Sequence, residues 1–459
     1  MILERVRGLR AGGGVGDWLC HLGAGAFGFR SMNRFYGEFD YTHLPGKRPE
    51  GDHRNPFQVD RDRVLFSAPF RQLQSKTQVF QSGEYDFYRT RLTHTIEVAR
   101  IGRSIAEYLN HTSDRLRPDF QIDPDLVEGI GLAHDLGHPP FGHIGERKLN
   151  ELMATSGGFE GNAQTLRILT ELIYPRPKRP SGMRPTRAFL DGTMKYKALR
   201  RECHAALPDG ATPANHFLYD EQAPYRTFVF GDESVDVSGP AALNALKSLE
   251  CQIMDWADDT AYSLHDIVDG VQARFISPES LRAWAEVQDD LSSYQGTILD
   301  EMTDEIRRGG FEPRVGIRIG QFIKACSLAP ADSPLADKTN RHRFRLEVDP
   351  KVREVCDLHK RIAFDLIFRS ASLQQIEFKG GFVLERLHEA YLRHGMPGPQ
   401  RRLRILPDPF AAWVAAAESD AQRLRYLCDF LANMTDAQAI RAYKRLYDAD
   451  FGSVMDPFA

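Results

Sequence analysis

The sequence has few cysteines, and none of them are spaced for a zinc or disulfide framework. Six occur among 459 residues, scattered along the chain without any Cys-x-x-Cys pair. This spacing excludes a cysteine-rich zinc site and lacks the disulfide pattern of a small secreted domain. It is typical of a protein in a reducing compartment, so we expect a cytoplasmic location.

Long apolar runs and a strong excess of one charge are also missing. No uninterrupted apolar stretch approaches the roughly 20 residues of a membrane span, and the N-terminus lacks the sustained apolar core of a signal peptide. We therefore expect a soluble protein with no membrane partner. Lys and Arg total 59 against 63 Asp and Glu, a formal charge of −4. This balance argues against a nucleic-acid coat protein but leaves a local basic patch open.

The composition is that of a globular protein, and its patterning is mainly helical. An apolar fraction of 42% and a charged fraction of 27% exclude a wholly disordered or collagen-like chain. Apolar residues recur at helical spacing over much of the chain, which predicts a mostly α fold. We divide the chain into an N-terminal extension (1–55), a core (56–275) and a helical C-terminal region (276–459). Residues 1–31 are Gly-rich, and we interpret them as a loosely ordered extension.

Local signals place the individual helices. One helix is predicted over 92–109, and a second begins with Asp123 as N-cap and Pro124 in the first turn. Others are predicted over 144–153 and 163–173, and a long helix runs from about residue 238 past Asp266. Several prolines predict an irregular segment over 174–240, apart from a short strand at 225–230.

A basic stretch lies within the segment predicted to be irregular. Residues 176–201 contain nine Lys or Arg and a single acidic residue, Asp191. The stretch is either a contact surface for phosphate or nucleic acid, or a solvated loop.

The strongest chemical signal is the segment 131–138, with His134 and Asp135 at the predicted end of the second helix. An imidazole beside a carboxylate suits a divalent ion such as Mn, Mg, Fe or Co. Further along, Asp258, Tyr262 and Asp266 are spaced by four and share one helical face, in a segment flanked by the apolar residues 253–254 and 256–257. Buried carboxylates need a cation or hydrogen bonds, whereas a solvated acidic face is the simpler alternative.

Three further side chains extend this pattern. His143 and Glu146 lie three apart at a predicted helix start, a spacing that suits a general acid and the carboxylate that orients it. A histidine satisfied by a helix start is the alternative. His94 lies one helix earlier, three residues after Arg91 and on the same face, where a purely structural histidine would also fit.

The order His94, His134-Asp135, Asp258 resembles the H…HD…D pattern of the HD-domain metal phosphohydrolases. Within that superfamily, whole phrases resemble the deoxyguanosine triphosphate triphosphohydrolase (dGTPase) family, over roughly residues 56–275. A weaker phrase, 429–436 (DFLANMTD), resembles the family's C-terminal signature, with Asn433 where Gly is usual. The matching phrases are 70–80 (FRQLQSKTQVF), 89–94 (RTRLTH), 133–143 (AHDLGHPPFGH), 158–164 (GFEGNAQ), 190–192 (LDG), 195–196 (KY) and 257–262 (ADDTAY).

The resemblance implies an HD-domain helical bundle with additional C-terminal helices, and a reaction. The family hydrolyses a deoxynucleoside triphosphate to the deoxynucleoside and inorganic triphosphate. By motif position, His143 resembles the catalytic proton donor, with Glu146 holding its tautomer. The implied metal ligands are His94, His134, Asp135 and Asp258.

The same resemblance implies the substrate contacts and the partners. Tyr262 and Asp266 resemble the pair at the sugar, where the ring leaves no room for a 2′-hydroxyl. The other implied contacts, to the phosphates, sugar or base, are Arg91, Gln78, His138, Asn162, Lys195 and Tyr196. We expect a dNTP substrate and a homo-oligomer, and keep single-stranded nucleic acid as a further partner.

The chain also departs from the family, and two other functions stay open. Many relatives have a basic residue in a Lys-Phe-Gly phrase, whose nearest counterpart here is 215–217 (NHF). The first alternative is an HD phosphohydrolase acting on another nucleotide phosphoester. The second is a nucleic-acid-binding regulator with a vestigial HD site. The sequence leaves open the preferred base, the native metal, the oligomeric state and any allosteric effector.

Overall fold

The computed structural model of the protein describes residues 33–46, 51–80, 89–208, 211–231, 233, 235–397 and 402–453. The interpretation of residues 1–31 as a loosely ordered extension lies outside these ranges. Up to residue 272 the helices are α1 (Glu38–Tyr41), α2 (Pro56–Leu65), α3 (Ala68–Gln72), α4 (Arg91–Thr112), α5 (Pro124–Ala133), α6 (Gly142–Leu152), α7 (Gly161–Arg167), α8 (Arg187–Thr193), α9 (Arg200–Ala205), α10 (Ala223–Val229), α11 (Pro240–Ala245) and α12 (Leu249–Gln272).

The rest of the described chain adds eight helices and a small hairpin. The antiparallel strands β1 (Cys326–Pro330) and β2 (Phe344–Val348) pair with Leu328 opposite Leu346, and the sequence did not predict them. The helices are α13 (Pro278–Glu286), α14 (Ser293–Arg307), α15 (Val315–Lys324), α16 (Pro350–Ala363), α17 (Ala371–Gly395), α18 (Phe410–Ala416), α19 (Asp420–Ala432) and α20 (Asp436–Tyr447). The predicted mostly α fold is therefore confirmed. No helix in the described ranges is both long and apolar enough to cross a membrane.

The helix starts agree well with the local signals. The Asp123 side chain accepts from the backbone N–H groups of Asp125 and Leu126 and caps α5, as the sequence predicts. Thr90 caps α4 by accepting from Thr93 N–H. These caps fix the first residues of α4 and α5, and therefore where His94 and His134 lie.

The segment 174–240 is more helical than predicted, and the short strand at 225–230 is wrong. Residues 225–229 belong to α10, which ends with Phe230 as its C-cap and packs Phe228 and Val229 into a buried cluster. Arg226 on the same helix pairs with Glu202 of α9 across 2.7 Å. Packing and ion pairing therefore outweigh the strand preference of the aromatic and β-branched residues.

Two predicted helices have different limits. The long helix expected from about residue 238 is interrupted between α11 and α12, where Ser248 begins a new helix by accepting from Cys251 N–H. The helix predicted over 163–173 is α7 followed by a π-helical turn, Ile168–Leu172. A second π turn, Phe364–Phe368, follows α16.

The basic stretch 176–201 does not form one contact surface. Arg176, Lys178 and Arg179 are exposed, whereas Arg187 and Lys197 are buried. Arg187 donates to the backbone carbonyls of Phe39 and Phe228, and the Lys197 ammonium lies 3.0 Å from the Asp191 carboxylate. Part of the stretch is therefore internal and structural.

The main core is formed where α4, α5 and α12 pack together. It includes Ala99 from α4, Ile130 from α5 and Ala257 from α12, and it extends to Phe35 near the start of the described chain and to Ile367 beyond α16. Gly131 allows the close crossing of α4 and α5, since a Cβ there would lie 2.7 Å from the Ala99 Cα. A second core joins α6 to α17, α19 and α20. The candidate site takes side chains from helices of both cores.

Candidate metal centre and active site

Three helices bring two imidazoles and a carboxylate together. One ligand atom from each of His94, His134 and Asp258 lies within 4.8 Å of the other two. His94 Nε2 is 3.1 Å from Asp258 Oδ1, and His134 Nε2 is 3.9 Å from the same oxygen. The three side chains come from the first turn of α4, the end of α5 and the middle of α12.

The protonation of His134 can be inferred from its backbone contact. Its Nδ1 lies 2.7 Å from the Gly131 carbonyl oxygen, which can only accept, so Nδ1 carries the proton. His134 Nε2, which presents a lone pair in the neutral form of this tautomer, is buried and has no hydrogen-bond partner among the described residues. An orphaned imidazole nitrogen beside a carboxylate fits a divalent metal ion.

Asp135 lies beside this group. Its Oδ1 is 3.4 Å from His134 Nε2 and 3.0 Å from His138 Nδ1. Its Oδ2 accepts from Arg91 Nη1 at 2.6 Å. Burial raises the pKa of Asp135, but the neighbouring His134, His138 and Arg91 side chains outweigh burial and hold the pKa well below its usual range. Asp135 is therefore an ionised carboxylate next to the imidazoles and could serve as a metal ligand.

The second group contains His138, His143 and Glu146, whose ligand-type atoms also lie within 4.8 Å of one another. His143 Nδ1 is 3.5 Å from Glu146 Oε2, and Glu146 Oε1 accepts from the backbone N–H of Gly161 at 2.7 Å. The His143 side chain is 58% exposed, while that of Glu146 is 18% exposed. A partly buried carboxylate thus orients an imidazole that is open to solvent.

The two groups face one cleft, which is also lined by most of the predicted substrate contacts. Tyr262 lines its wall, in parallel contact with the ring of Phe368 at 6.0 Å between centroids. Tyr196 stacks on His216 with centroids 4.3 Å apart. The other predicted residues that line the cleft are Gln78, Arg91, His138, Asn162 and Lys195.

Asp266 is the predicted site residue that the structure keeps off the wall of the cleft. It lies one turn beyond Tyr262, is 3% exposed, and its Oδ2 has no hydrogen-bond partner among the described residues. Burial and the neighbouring Asp269 raise the pKa of Asp266 well above its usual range, which favours the neutral acid.

Lys195 provides the cation nearest to Asp258. Its Nζ lies 2.9 Å from Asp255 Oδ1 and 3.9 Å from Asp258 Oδ2. Burial lowers its pKa, but the two carboxylates outweigh burial and raise it well above the usual value. Lys195 therefore places a positive charge at the wall of the cleft.

Comparison with known proteins identifies the family to which these residues belong. The HD domain model matches residues 91–194, and the phosphohydrolase-associated domain model matches residues 346–445. A deoxyguanosinetriphosphate triphosphohydrolase-like protein of Haemophilus influenzae (strain PittGG) is 34% identical over 457 residues, covering 88% of this chain and 95% of the relative. The chain belongs to the deoxyguanosinetriphosphate triphosphohydrolase-like family of HD-domain phosphohydrolases.

Other members of this dGTPase-like family give the same result. The protein of Shewanella loihica (strain ATCC BAA-1088 / PV-4) is 33% identical over 441 residues, covering 89% of this chain and 96% of the relative. That of Actinobacillus succinogenes is 34% identical over 447 residues, covering 86% and 96%. The family resemblance found in the sequence is thereby confirmed.

Several residues of the dGTPase-like site were not singled out as contacts from the sequence. Phe368, Met254 and Glu160 line the cleft, as do Asn215 and His216. The 215–217 segment had been noted only as a departure from the family's basic phrase. Phe368 comes from the C-terminal region, just after α16, and no spacing pattern in the sequence connects it with Tyr262. Phe159-Glu160 was part of a matching phrase, which was the available signal for Glu160.

Proposed function

We propose that this chain hydrolyses deoxynucleoside triphosphates, dGTP or several dNTPs, to the deoxynucleoside and inorganic triphosphate. The observation that carries the proposal is one cleft containing both groups: the orphaned His134 imidazole with its acidic neighbours, and the His143–Glu146 pair. The relatives' names support this reaction for the family. We further propose that residues 56–275 form the catalytic core, to which the C-terminal region contributes a wall through Phe368.

In this proposal a divalent ion, Mn, Mg, Fe or Co, is held by His94, His134, Asp135 and Asp258. When bound, the ion would neutralise phosphate charge and lower the pKa of a water ligand. The mixture of imidazole and carboxylate donors suits several first-row metals and Mg, so it does not select one of them.

His143 is the proposed proton donor to the 5′-oxygen that leaves as the sugar hydroxyl. With Nδ1 turned towards Glu146, the other ring nitrogen is free to face a substrate. Burial raises the pKa of Glu146, but the hydrogen bond from His143 and the charge of His138 outweigh it and lower the pKa. A carboxylate that stays ionised can accept a hydrogen bond from Nδ1–H of His143 and so orient the ring for proton transfer.

The remaining cleft residues are proposed to bind and orient the triphosphate and the sugar. Lys195 and His138 supply positive charge or donors for the phosphates, and Arg91 contributes while it holds Asp135. Asn162 is proposed near the α-phosphate, and Gln78 and Tyr196 near the sugar or base. The Tyr262 ring, backed by Phe368, is proposed to occupy the space where a 2′-hydroxyl would project. Asp266 lies off the wall of the cleft and is not among the proposed substrate contacts.

The two alternatives predict other products. An HD phosphohydrolase acting on a different phosphoester would release phosphate or a nucleoside monophosphate, and a vestigial regulator would release nothing. The test is product analysis by ³¹P NMR with each of the four dNTPs, in Mn and in Mg. Inorganic triphosphate with deoxynucleoside supports the proposal. Pyrophosphate, orthophosphate or no product from any dNTP would rule it out.

A further inference from the structure

The C-terminal phrase 429–436 ends at Asp436, whose side chain contacts the turn that precedes His143. Asp436, the first residue of α20, is 2% exposed although it belongs to a helix terminus. Its Oδ1 accepts from the backbone N–H of Phe141 at 2.9 Å. Its Oδ2 accepts from the backbone N–H of Thr77 at 2.9 Å and also from the Thr77 hydroxyl. We call these three residues the Asp436 clamp.

The Asp436 side chain is not needed to cap α20. The Thr435 side chain already caps α20 by accepting from Gln438 N–H, and the Gln438 side chain accepts in turn from Thr435 N–H. Both Asp436 oxygens are instead committed to segments more than 290 residues earlier in the chain. The buried Asp436 carboxylate therefore serves to bind the backbone of Thr77 and Phe141 in the HD core.

What it holds is a strained turn directly before the proposed proton donor. Phe141 has a φ of +65° and Gly142 a φ of +58°, and a left-handed conformation is costly for a bulky residue such as Phe unless its surroundings enforce it. His143 follows one residue later. On the other side of the clamp, Gln78 follows Thr77 and lines the same cleft. One carboxylate thus fixes the backbone next to two cleft residues.

Two further contacts tie the C-terminal region to the same place. Gly380 of α17 lies against the Phe141 ring so closely that a Cβ at 380 would come within 2.7 Å of the Phe141 Cγ. The buried Lys76 amino group donates to the carbonyl oxygens of His138 at 2.6 Å and Ala432 at 3.0 Å. Residues 76–77 and 138–141 are therefore held from the C-terminal side by both hydrogen bonding and packing.

We propose that Asp436 is a positioning residue of the active site, which holds the 141–143 turn so that His143 meets the leaving oxygen. The proposal rests on the proposed function, because it needs His143 as proton donor. It gives the phosphohydrolase-associated region a role in catalysis: α17, α19 and α20 set the geometry of a turn that belongs to the HD core. Asp436 acts only through the backbone it holds.

The test compares Asp436→Ala and Asp436→Asn with the wild type, using dGTP and the metal-loaded enzyme. A displaced proton donor costs rate rather than affinity, so kcat should fall by about 10- to 100-fold in Asp436→Ala while KM stays within about threefold. Asp436→Asn keeps one acceptor oxygen, so its kcat should fall less than that of Asp436→Ala. Hydrogen exchange of peptides covering 77 and 141 should speed up in Asp436→Ala, an effect that needs no substrate.

A double-mutant cycle separates positioning from general destabilisation. In a His143→Ala background, Asp436→Ala should change kcat by no more than about twofold, because the group it positions is gone. Asp420→Ala is the matched control: Asp420 is the first residue of α19, but its side chain is 72% exposed and pairs with Arg423. Asp420→Ala should leave kcat and exchange unchanged.

An unchanged kcat in Asp436→Ala, or an equal loss of kcat in the presence and absence of His143, would overturn the positioning role. If Asp436→Ala does not fold, Gly380→Ala displaces Phe141 by packing alone and should lower kcat in the same way; wild-type kcat in that variant would contradict the proposal. A wild-type enzyme that releases no triphosphate would instead refute the proposed function, while the exchange comparison still measures the hold of Asp436 on the turn.

Discussion

The Arg91 guanidinium donates to Asp135 Oδ2 across 2.6 Å, and both side chains are almost fully buried. Arg91 Nε also donates to the Thr77 carbonyl oxygen at 3.2 Å. The first residue of α4 therefore holds one oxygen of Asp135 and leaves Oδ1 towards His134 and His138. In the proposed metal centre Arg91 orients a ligand in addition to facing the substrate.

Metal content should follow this arrangement. Asp135→Ala removes a ligand and should abolish bound metal together with activity. Arg91→Lys keeps the positive charge but loses the fixed guanidinium geometry, so metal affinity should fall by about 10- to 100-fold. Elemental analysis and chelator competition measure both effects. Arg100→Lys, at an exposed position of the same helix, is the control. Full metal occupancy in Asp135→Ala would remove Asp135 from the ligand set.

His143→Ala should separate chemistry from metal binding. Loss of a general acid lowers kcat by about 100-fold or more, while metal content should stay close to that of the wild type, because His143 lies in the second group of the cleft and not in the first. Single-turnover rates and elemental analysis of the same preparation measure this. Loss of the metal in His143→Ala would mean that a ligand has been mistaken for an acid.

Tyr262 should control discrimination against ribonucleotides. Tyr262→Ala removes the ring that lies against Phe368 and opens space for a 2′-hydroxyl, so the preference for dGTP over GTP should shrink. Tyr262→Phe keeps the ring and should retain the preference. The measurement is the ratio of kcat/KM for dGTP and GTP in the three proteins. An unchanged ratio in Tyr262→Ala would place the sugar elsewhere in the cleft.

Lys76 should make stability depend on pH. Burial and the nearby charge of Arg91 lower the pKa of Lys76 from 10.5 to about 7. Between these values the unfolded chain binds a proton that the folded chain does not, so the free energy of unfolding gains up to about 1.4 kcal/mol per pH unit as the pH rises. Lys76→Met should flatten that slope in urea titrations at pH 7, 8 and 9. An identical slope in both proteins would contradict a neutral Lys76.

Local features were predictable because their causes are local. Asp123 and Pro124 begin α5, and the order of His94, His134 and Asp258 indicated a metal group that the fold does bring together. The prediction of a strand at 225–230 was wrong because it depended on local preferences alone. The packing of Phe228 and the Arg226–Glu202 pair involve residues that are distant in the sequence. Phe368 and Asp436 could not be connected with the cleft for the same reason: their contacts span more than 100 residues of chain.

The family resemblance located the C-terminal phrase 429–436 in the sequence but did not indicate what its side chains contact. In the structure Asp429 accepts from Arg167 at 2.9 Å and from Gln164 at 3.0 Å, and both partners lie on α7. The phrase therefore contacts the HD core at one end and the turn before His143 at the other.

The most direct test of the central claim is hydrolysis of dGTP in H₂¹⁸O, followed by mass spectrometry of both products. Attack of water on the α-phosphorus with departure of the 5′-oxygen predicts unlabelled deoxyguanosine and inorganic triphosphate carrying one ¹⁸O. Label in the deoxyguanosine would contradict that mechanism. Accumulation of dGMP with pyrophosphate would contradict the proposed triphosphohydrolase activity itself.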